Sequence, residues 1–306
     1  MRFTAFGLAV EAGFPVEGVD ADDHSSEREA LVELIEESEL AGAWKGRVTA
    51  GPGNGRVIYH DATLGHLLHL PGAGRFSISA DGALIRCVPS VLEPWRWQRG
   101  LFAGALPFAA LRQGIEVFHA AAVVVDGRLV AISAASGGGK STLGAFLRIA
   151  GASFFTDDVL AVKPYGDRVL AHPGPALLNL RHTTAGLLSD DERRSLGSPL
   201  GADQVETRIR TEPVGAPAPV AALYFLERRS ELKTISFEPV ASPSRQLLAS
   251  SYNFVIRTPE RLLGQLDLCA TLAATAQLTR VTAPSEIDPR TLATAVLEHA
   301  RSSGDQ

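Results

Sequence analysis

Apolar residues in this chain fall into short runs separated by polar turns, and only a few of the runs repeat at helical spacing. Phe3 to Val10 reads as a first strand, and the acidic, polar stretch 17–26 reads as a loop. Ser26-Glu27-Arg28-Glu29 has the form of a capping box, with Leu31, Leu34 and Ile35 following at helical spacing, so a helix is predicted there. From Arg47 to Pro89, short apolar segments alternate with the turn sequences Pro52-Gly53-Asn54-Gly55, Pro71-Gly72-Ala73-Gly74 and Asp81-Gly82, the pattern of a small β-rich or α+β unit. Trp95, Trp97, Leu101, Phe102, Leu106, Phe108 and Leu111 predict a helical passage over 91–114, broken near Pro107.

The texture changes near residue 115. Val117 to Val125, then Asp126-Gly127, then Arg128 to Ser133 predict two strands joined by a tight turn. An apolar helix pattern from Leu143 to Ile149 ends near Gly151, a residue suited to the position just past a helix. Ser153 to Val162 reads as an apolar strand carrying two adjacent acids, and Val169 to Leu180 as another extended stretch. Residues 186–218 are polar and rich in Gly, Pro and Arg, the composition of mobile loops. Val220 to Leu226 is a buried-strand pattern, Leu247 to Ser251 and Pro259 to Gln277 read as helical, Val281 begins a strand, and a terminal helix runs from Pro289 to Ala300. The expected organisation is a small α+β domain over 1–105, suited to substrate recognition, and a second domain over 106–306.

Bulk composition narrows the function classes. With 306 residues, 45% hydrophobic and 21% charged, the chain has the balance of a globular protein with a real core. A net charge of −5 argues against nucleic acid or an anionic membrane as the main partner. Cys87 and Cys269 make neither a disulfide framework nor a zinc cluster. The N-terminus lacks the apolar core of a signal peptide, and no run approaches a membrane span, so a cytoplasmic protein is expected. His66 and His69 would share a face if Leu64 to Leu70 were helical, but no further metal ligand accompanies them.

The chemistry is concentrated in Ala134-Ala135-Ser136-Gly137-Gly138-Gly139-Lys140-Ser141-Thr142-Leu143. An apolar strand pattern leads into this glycine-rich turn and a helix pattern leaves it, the context a phosphate-binding P-loop needs. Glycines let backbone N–H groups turn inward around a polyphosphate, and the helix aims the positive end of its dipole at the same place. Ser136 to Thr142 are the candidate nucleotide-binding residues, with Lys140 reaching the outer phosphates and Ser141 ligating Mg²⁺. Ala134 replaces the first glycine of the usual pattern, a mild change at negative φ and a costly one at positive φ.

Two further features belong with the loop. Asp157-Asp158 follows Lys140 by 17 residues, and His119 precedes it by 21. Phosphoryl transfer needs a polyphosphate cradle, a metal ligand and a group that orients or deprotonates the acceptor. Two adjacent acids can divide the last two roles, and an imidazole can tune an aspartate by hydrogen bonding. Taken singly, the acids could form a solvated turn and the histidine could be a satisfied half-buried one.

In Phe118-His119-Ala120-Ala121-Ala122-Val123, Ser136 to Leu143 and Phe155-Thr156-Asp157-Asp158-Val159-Leu160, the chain resembles the HPr kinase/phosphorylase family. The likeness is greater to the small HPr-kinase-like proteins of lasso-peptide and other peptide-modification gene clusters. It runs more weakly to about residue 300. The resemblance implies an α/β fold of the HPr kinase and phosphoenolpyruvate-carboxykinase type, and a kinase that uses ATP and Mg²⁺. Its acceptor would be a serine hydroxyl on a peptide or small protein. By position, Asp157 resembles the general base, Asp158 the Mg²⁺-linked acid, Ser141 the Mg²⁺ ligand, Lys140 the phosphate contact and His119 the support of the catalytic aspartate. The order of roles within the acid pair stays open. Bifunctional members also carry a downstream segment with glutamate and arginine; this chain has His172-Pro173-Gly174-Pro175 and Thr207-Arg208-Ile209-Arg210 instead. Neither the phosphorylase reaction nor HPr itself is therefore implied, while Arg208 and Arg210 are candidates to meet charge on the transferred group. Long HPr kinases are hexamers, so a homo-oligomer is one expectation.

A transport ATPase needs an L-S-G-G-Q signature, which is absent from this sequence. A small-molecule kinase acting on free serine or a sugar, and a nucleotide-binding or peptide-recognition module without turnover, remain alternatives. So do GTP, another nucleoside triphosphate or pyrophosphate as donor.

Overall fold

A computed structural model describes residues 1–22, 26–45, 57–212, 215–252, 256 and 258–303. The chain is a mixed α/β protein that divides into two compact units, Met1–Ile115 and Glu116–Gln306. The turn sequence Pro52-Gly53-Asn54-Gly55 lies outside the described residues.

The first unit is built on a seven-stranded sheet. Its strands are β1 (Arg2–Ala5), β2 (Leu8–Ala12), β3 (Glu29–Leu34), β4 (Val57–Asp61), β5 (Gly65–Leu70), β6 (Gly74–Ile78) and β7 (Leu84–Pro89), in the order β1-β2-β3-β7-β6-β5-β4. Helix α1 (Glu37–Trp44) follows β3. The single strand expected over Phe3 to Val10 is a hairpin, because Phe6 and Gly7 take left-handed backbone angles, φ 56° and 79°, and turn the chain. The helix expected after Ser26 is strand β3. Its side chains alternate between exposed and buried from Glu29 to Val32, so the period of two prevails over the i, i+3 spacing of the leucines. Ser26 Oγ accepts from the Arg28 N–H rather than capping a helix.

Helix α2 (Pro94–Gly100), a π-helical turn (Leu101–Ala105) and α3 (Leu106–Arg112) form the expected helical passage. It is widened rather than broken at Pro107: a proline ring clashes with the carbonyl four residues back, and a π turn relieves that clash. The passage lies close on the sheet. A Cβ at Gly100 would stand 2.5 Å from Ala73 Cβ and 3.0 Å from the Phe76 ring, so only glycine fits.

The second unit carries a nine-stranded sheet and a three-stranded one. The large sheet contains β8 (Glu116–Phe118), β9 (Ala120–Val125), β10 (Arg128–Ala134), β11 (Ser153–Thr156), β12 (Leu160–Tyr165) and β13 (Arg168–His172). The small sheet contains β14 (Leu177–Arg181), β15 (Ser198–Ala202) and β16 (Glu206–Arg210). β17 (Ala218–Arg229), β18 (Ser236–Pro239) and β19 (Gln277–Pro284) complete the large one. Its helices are α4 (Lys140–Ile149), α5 (His182–Ala185), α6 (Asp190–Leu196), α7 (Pro243–Ser250), α8 (Pro259–Thr275) and α9 (Pro289–Ser302).

β10 runs parallel to β17 and antiparallel to β9, and β17 runs parallel to β19, so the sheet is mixed. Alternate residues of β9 and β10 enter two cores. Val123, Val125, Val130 and Ile132 pack with Leu143 and Phe146 of α4 and Leu292 and Val296 of α9. Ala120, Ala122, Leu129 and Ala131 pack with Leu247 of α7 and Leu268 and Leu272 of α8. Helices thus cover both faces of the sheet.

The segment 186–218, expected as loops, instead supplies α6, β15, β16 and the start of β17. Ser189 caps α6 with a reciprocal capping box to Glu192. No helix among the described residues is long and apolar enough to cross a membrane.

Candidate active site

The glycine-rich loop is the connection between β10 and α4, and its local conformation follows from its glycines. Gly137 and Gly139 take φ of 77° and 99°, a region that costs an L-residue strain, while Gly138 N–H bonds back to Ala135 O at 2.8 Å. Gly139 is the N-cap of α4, and no side chain caps that end. The N–H groups of the first turn are therefore free of a side-chain acceptor, as an anion cradle requires. Ala134 is the last residue of β10 and does not have positive φ, so alanine at this place carries no backbone strain.

Lys140 opens α4 with its side chain only 6% exposed. Its Nζ lies 2.9 Å from His119 Nε2 and 3.5 Å from Asp158 Oδ1. An ammonium only donates, so Nε2 accepts, the imidazole is neutral, and Nδ1 carries the proton. That N–H donates to the Asp158 carbonyl oxygen at 3.1 Å. His119 occupies the break between β8 and β9, where the chain passes from pairing with β12 to pairing with β10. Its N–H donates to Ser250 O at 2.7 Å, and the Tyr252 ring meets the imidazole edge-on at 6.0 Å between centroids.

The two acids, expected within one strand, sit in the turn that separates β11 from β12. Asp158 has φ 67°, a left-handed residue that aspartate tolerates better than most. That turn sends the carboxylates to different partners. Asp157 Oδ1 accepts from Ser141 Oγ at 2.8 Å and Oδ2 from the Asn179 N–H at 3.1 Å. Asp158 faces Lys140 and His119. Burial, and then the neighbouring Asp158 carboxylate, raise the pKa of Asp157 to about 7, against the opposing pull of the Ser141 and Asn179 hydrogen bonds and Lys140.

The remaining predicted residues fall around this centre. Ser136 is exposed at the tip of the loop. The Thr142 hydroxyl pairs with that of buried Thr184 at 2.8 Å and so ties α5 to α4. Arg208, buried at 2% exposure, lies in register with Asn179 across β14 and β16, directly opposite the residue whose backbone N–H holds Asp157. Arg210 is half-buried at the far end of β16, opposite Leu177 and Ser198.

His66 and His69 are on strand β5 rather than a helix, three residues apart and hence on opposite faces. His66 is buried, stacked on His60 and beside Phe108, and burial followed by the charge of His60 lowers its pKa to about 4. Among the described residues no group of three His, Cys, Asp or Glu side chains could hold a metal ion. Ser141 and Asp157 present two hard oxygens in contact. This set suits Mg²⁺, which binds through one or two protein oxygens and completes its shell with water and phosphate.

Sequence reasoning did not single out Asn179, Ser250, Tyr252 or Arg228. Asn179 had a signal, a polar residue inside the apolar run Leu177-Leu178-Asn179-Leu180. Arg228 had none, because its place near the loop follows from the parallel pairing of β17 with β10.

No protein-family model and no curated protein matches this chain. Among solved structures, the Hpr(Ser) kinase/phosphatase from Coxiella burnetii is similar over 61% of this chain and 98% of its own, at 15% identity and a TM-score of 0.31. At that identity and score the likeness carries no functional argument.

Proposed function

We propose that the second unit is an ATP- and Mg²⁺-dependent kinase domain of the HPr kinase type, transferring a phosphoryl group to a serine hydroxyl of a peptide or small protein. One observation carries the reading: the glycine-rich loop, His119 and both acids converge, with Lys140 on His119 and Ser141 on Asp157. These residues come from three separate parts of the chain, and each supplies a part that phosphoryl transfer requires.

The contacts favour an exchange of the roles expected for the two acids. Asp157 shares its oxygen with the Ser141 hydroxyl, so it and Ser141 would hold Mg²⁺. Bound there, the ion would neutralise charge on the phosphate oxygens. Asp158, 29% exposed and beside Lys140 and His119, would accept the proton of the acceptor hydroxyl. In the step itself the serine Oγ attacks the γ-phosphorus in line and its proton passes to Asp158. The bond to the β,γ-bridging oxygen breaks, and ADP leaves with that electron pair. Lys140 stabilises the charge that develops, and His119 holds the Asp158 backbone and the Lys140 ammonium in place. Arg208 and Arg210 are kept as candidate cations for the same charge, and the first unit as the candidate recognition domain.

The test is incubation with Mg-ATP and serine-containing peptides, read as a mass gain of one phosphoryl group. Asp157→Asn should raise the Mg²⁺ concentration needed for half-maximal rate, and Asp158→Asn should lower kcat at saturating Mg²⁺. The opposite pattern restores the roles first expected. Nucleotide binding with no turnover on any peptide, free serine or sugar leaves a binding module.

A further inference from the structure

The strand beside the P-loop carries a cation that neither the loop motif nor the acid pair accounts for. β10 ends at Ala134, which pairs with Leu226 of β17, and β17 continues to Arg229. Residues two apart on a strand share a face. Leu226 belongs to the core that α4 covers, so Arg228 emerges on the α4 side, one pleat beyond the end of β10. A Cβ built on Gly139 would lie 3.6 Å from Arg228 Nε and 3.7 Å from its Cζ, with Leu226 Cδ2 at 4.0 Å. The guanidinium is therefore in contact range of the residue that caps α4.

Among the described residues no ion pair joins this guanidinium to a carboxylate. Arg228 Nε is buried and without a hydrogen-bond partner among the described residues. The adjacent carboxylate, Glu227, is taken by Arg229 at 2.9 Å and Arg280 at 3.6 Å. Glu286 acts on Arg228 from the exposed connection before α9, and no ion pair joins the two. Burial lowers the pKa of Arg228, the direction expected of a cation whose charge is poorly compensated. Arginine presents donors in a planar fork that matches phosphate oxygens.

We propose that Arg228 is a phosphate-binding residue, its guanidinium meeting the anionic oxygens of a nucleoside di- or triphosphate seated on Gly139 and Lys140. The inference rests on the reading of residues 134–142 as a phosphate loop, and it adds a cation supplied by a neighbouring strand rather than by the loop.

Isothermal titration of the full chain with Mg-ATP and with pyrophosphate tests it, on the natural protein and on Lys140→Ala, Arg228→Ala and Arg228→Lys. Melting temperatures are read in parallel. Arg228→Ala should weaken both ligands on the order of tenfold, the scale of one charge-assisted hydrogen bond, and Arg228→Lys should recover part of the loss. The melting temperature without ligand should not fall, because among the described residues Arg228 Nε has no hydrogen bond to lose. Natural affinity in Arg228→Ala, with affinity lost in Lys140→Ala, overturns the inference and leaves the phosphate loop standing. A lower melting temperature that accounts for the lost affinity makes Arg228 a structural residue and also overturns it. If the natural protein binds neither ligand, or Lys140→Ala binds as well as it does, the phosphate-loop reading fails and the inference falls with it.

Discussion

Lys140 Nζ lies 2.9 Å from Nε2 of His119, so the lysine of the glycine-rich loop is held by a histidine from 21 residues upstream. The same histidine reaches the Asp158 carbonyl through its other nitrogen. One imidazole thereby fixes both the cation and the turn that carries the acids.

His119→Ala should therefore impair turnover without unfolding the protein. The side chain is more than a third exposed, so its loss opens no large cavity. Steady-state kinetics should show kcat lower by about 10²-fold, the scale of a reacting group displaced by about an ångström. An unchanged kcat would remove His119 from the site.

Asp157 predicts a pH dependence of stability. Its folded pKa, about 7, stands above the unfolded value of 3.8, so between those values the folded state holds a proton that the unfolded state releases. Stability of the metal-free protein should then fall as pH rises from about 4 to 7, because the unfolded state binds fewer protons there. Asp157→Asn removes the ionisation. In EDTA at pH 8 it should be the more stable protein and melt several degrees higher, with a flatter dependence on pH. Thermal melts across pH 4 to 8 provide the measurement.

The loop glycines can be ranked by backbone. Gly139→Ala places an L-residue at φ 99° and adds a methyl against Arg228, so it should cost about 1–3 kcal/mol and weaken nucleotide binding. Ala134→Gly, on extended backbone at the end of β10, should leave nucleotide binding unchanged and lose at most about 1 kcal/mol in a chemical denaturation curve.

Away from the loop, Arg261 and Glu116 form a nearly buried ion pair at 2.6 Å, and Arg261 also donates to the carbonyl oxygens of Ile256 and Tyr252. Gln265 donates to the same Glu116 oxygen at 3.2 Å. Arg261→Ala would leave a buried carboxylate with only neutral donors, Gln265 and the Val117 N–H, and denaturant melts should show a loss of about 3 kcal/mol. Because Tyr252 stands against His119, the variant should lose activity below its melting temperature as well.

Legibility followed the range of the interactions. The strand, loop and helix from Arg128 to Ile149 were readable because glycine torsions and apolar periodicity act within a few residues. The turn at Asp126-Gly127 was readable for the same reason. The helix predicted after Ser26 failed because two parallel neighbours, β2 and β7, impose strand pairing on a segment whose leucines also fit a helix. Of the small sheet, β14 falls in the extended stretch expected over 169–180, while β15 and β16 were missed because Ser198-Pro199 and Glu206-Thr207-Arg208 lack an apolar signature. They are strands through pairing with one another, and Leu178, Leu180 and Ile209 bury their other face.

The amino-acid order alone settled which chemistry is available: a glycine-rich turn that can cradle phosphate, a lysine and a serine after it, two acids and a histidine at set separations. It left open which acid answers to which partner, since adjacent carboxylates look alike along a chain. The left-handed turn at Asp158 decides that, directing Asp157 to Ser141 and Asn179 and Asp158 to Lys140 and His119. The place of Arg228 was decided in the same way, by a parallel pairing that carries β17 one pleat past the end of β10. Both outcomes depend on contacts between segments distant in sequence, which only packing of the sheet brings together.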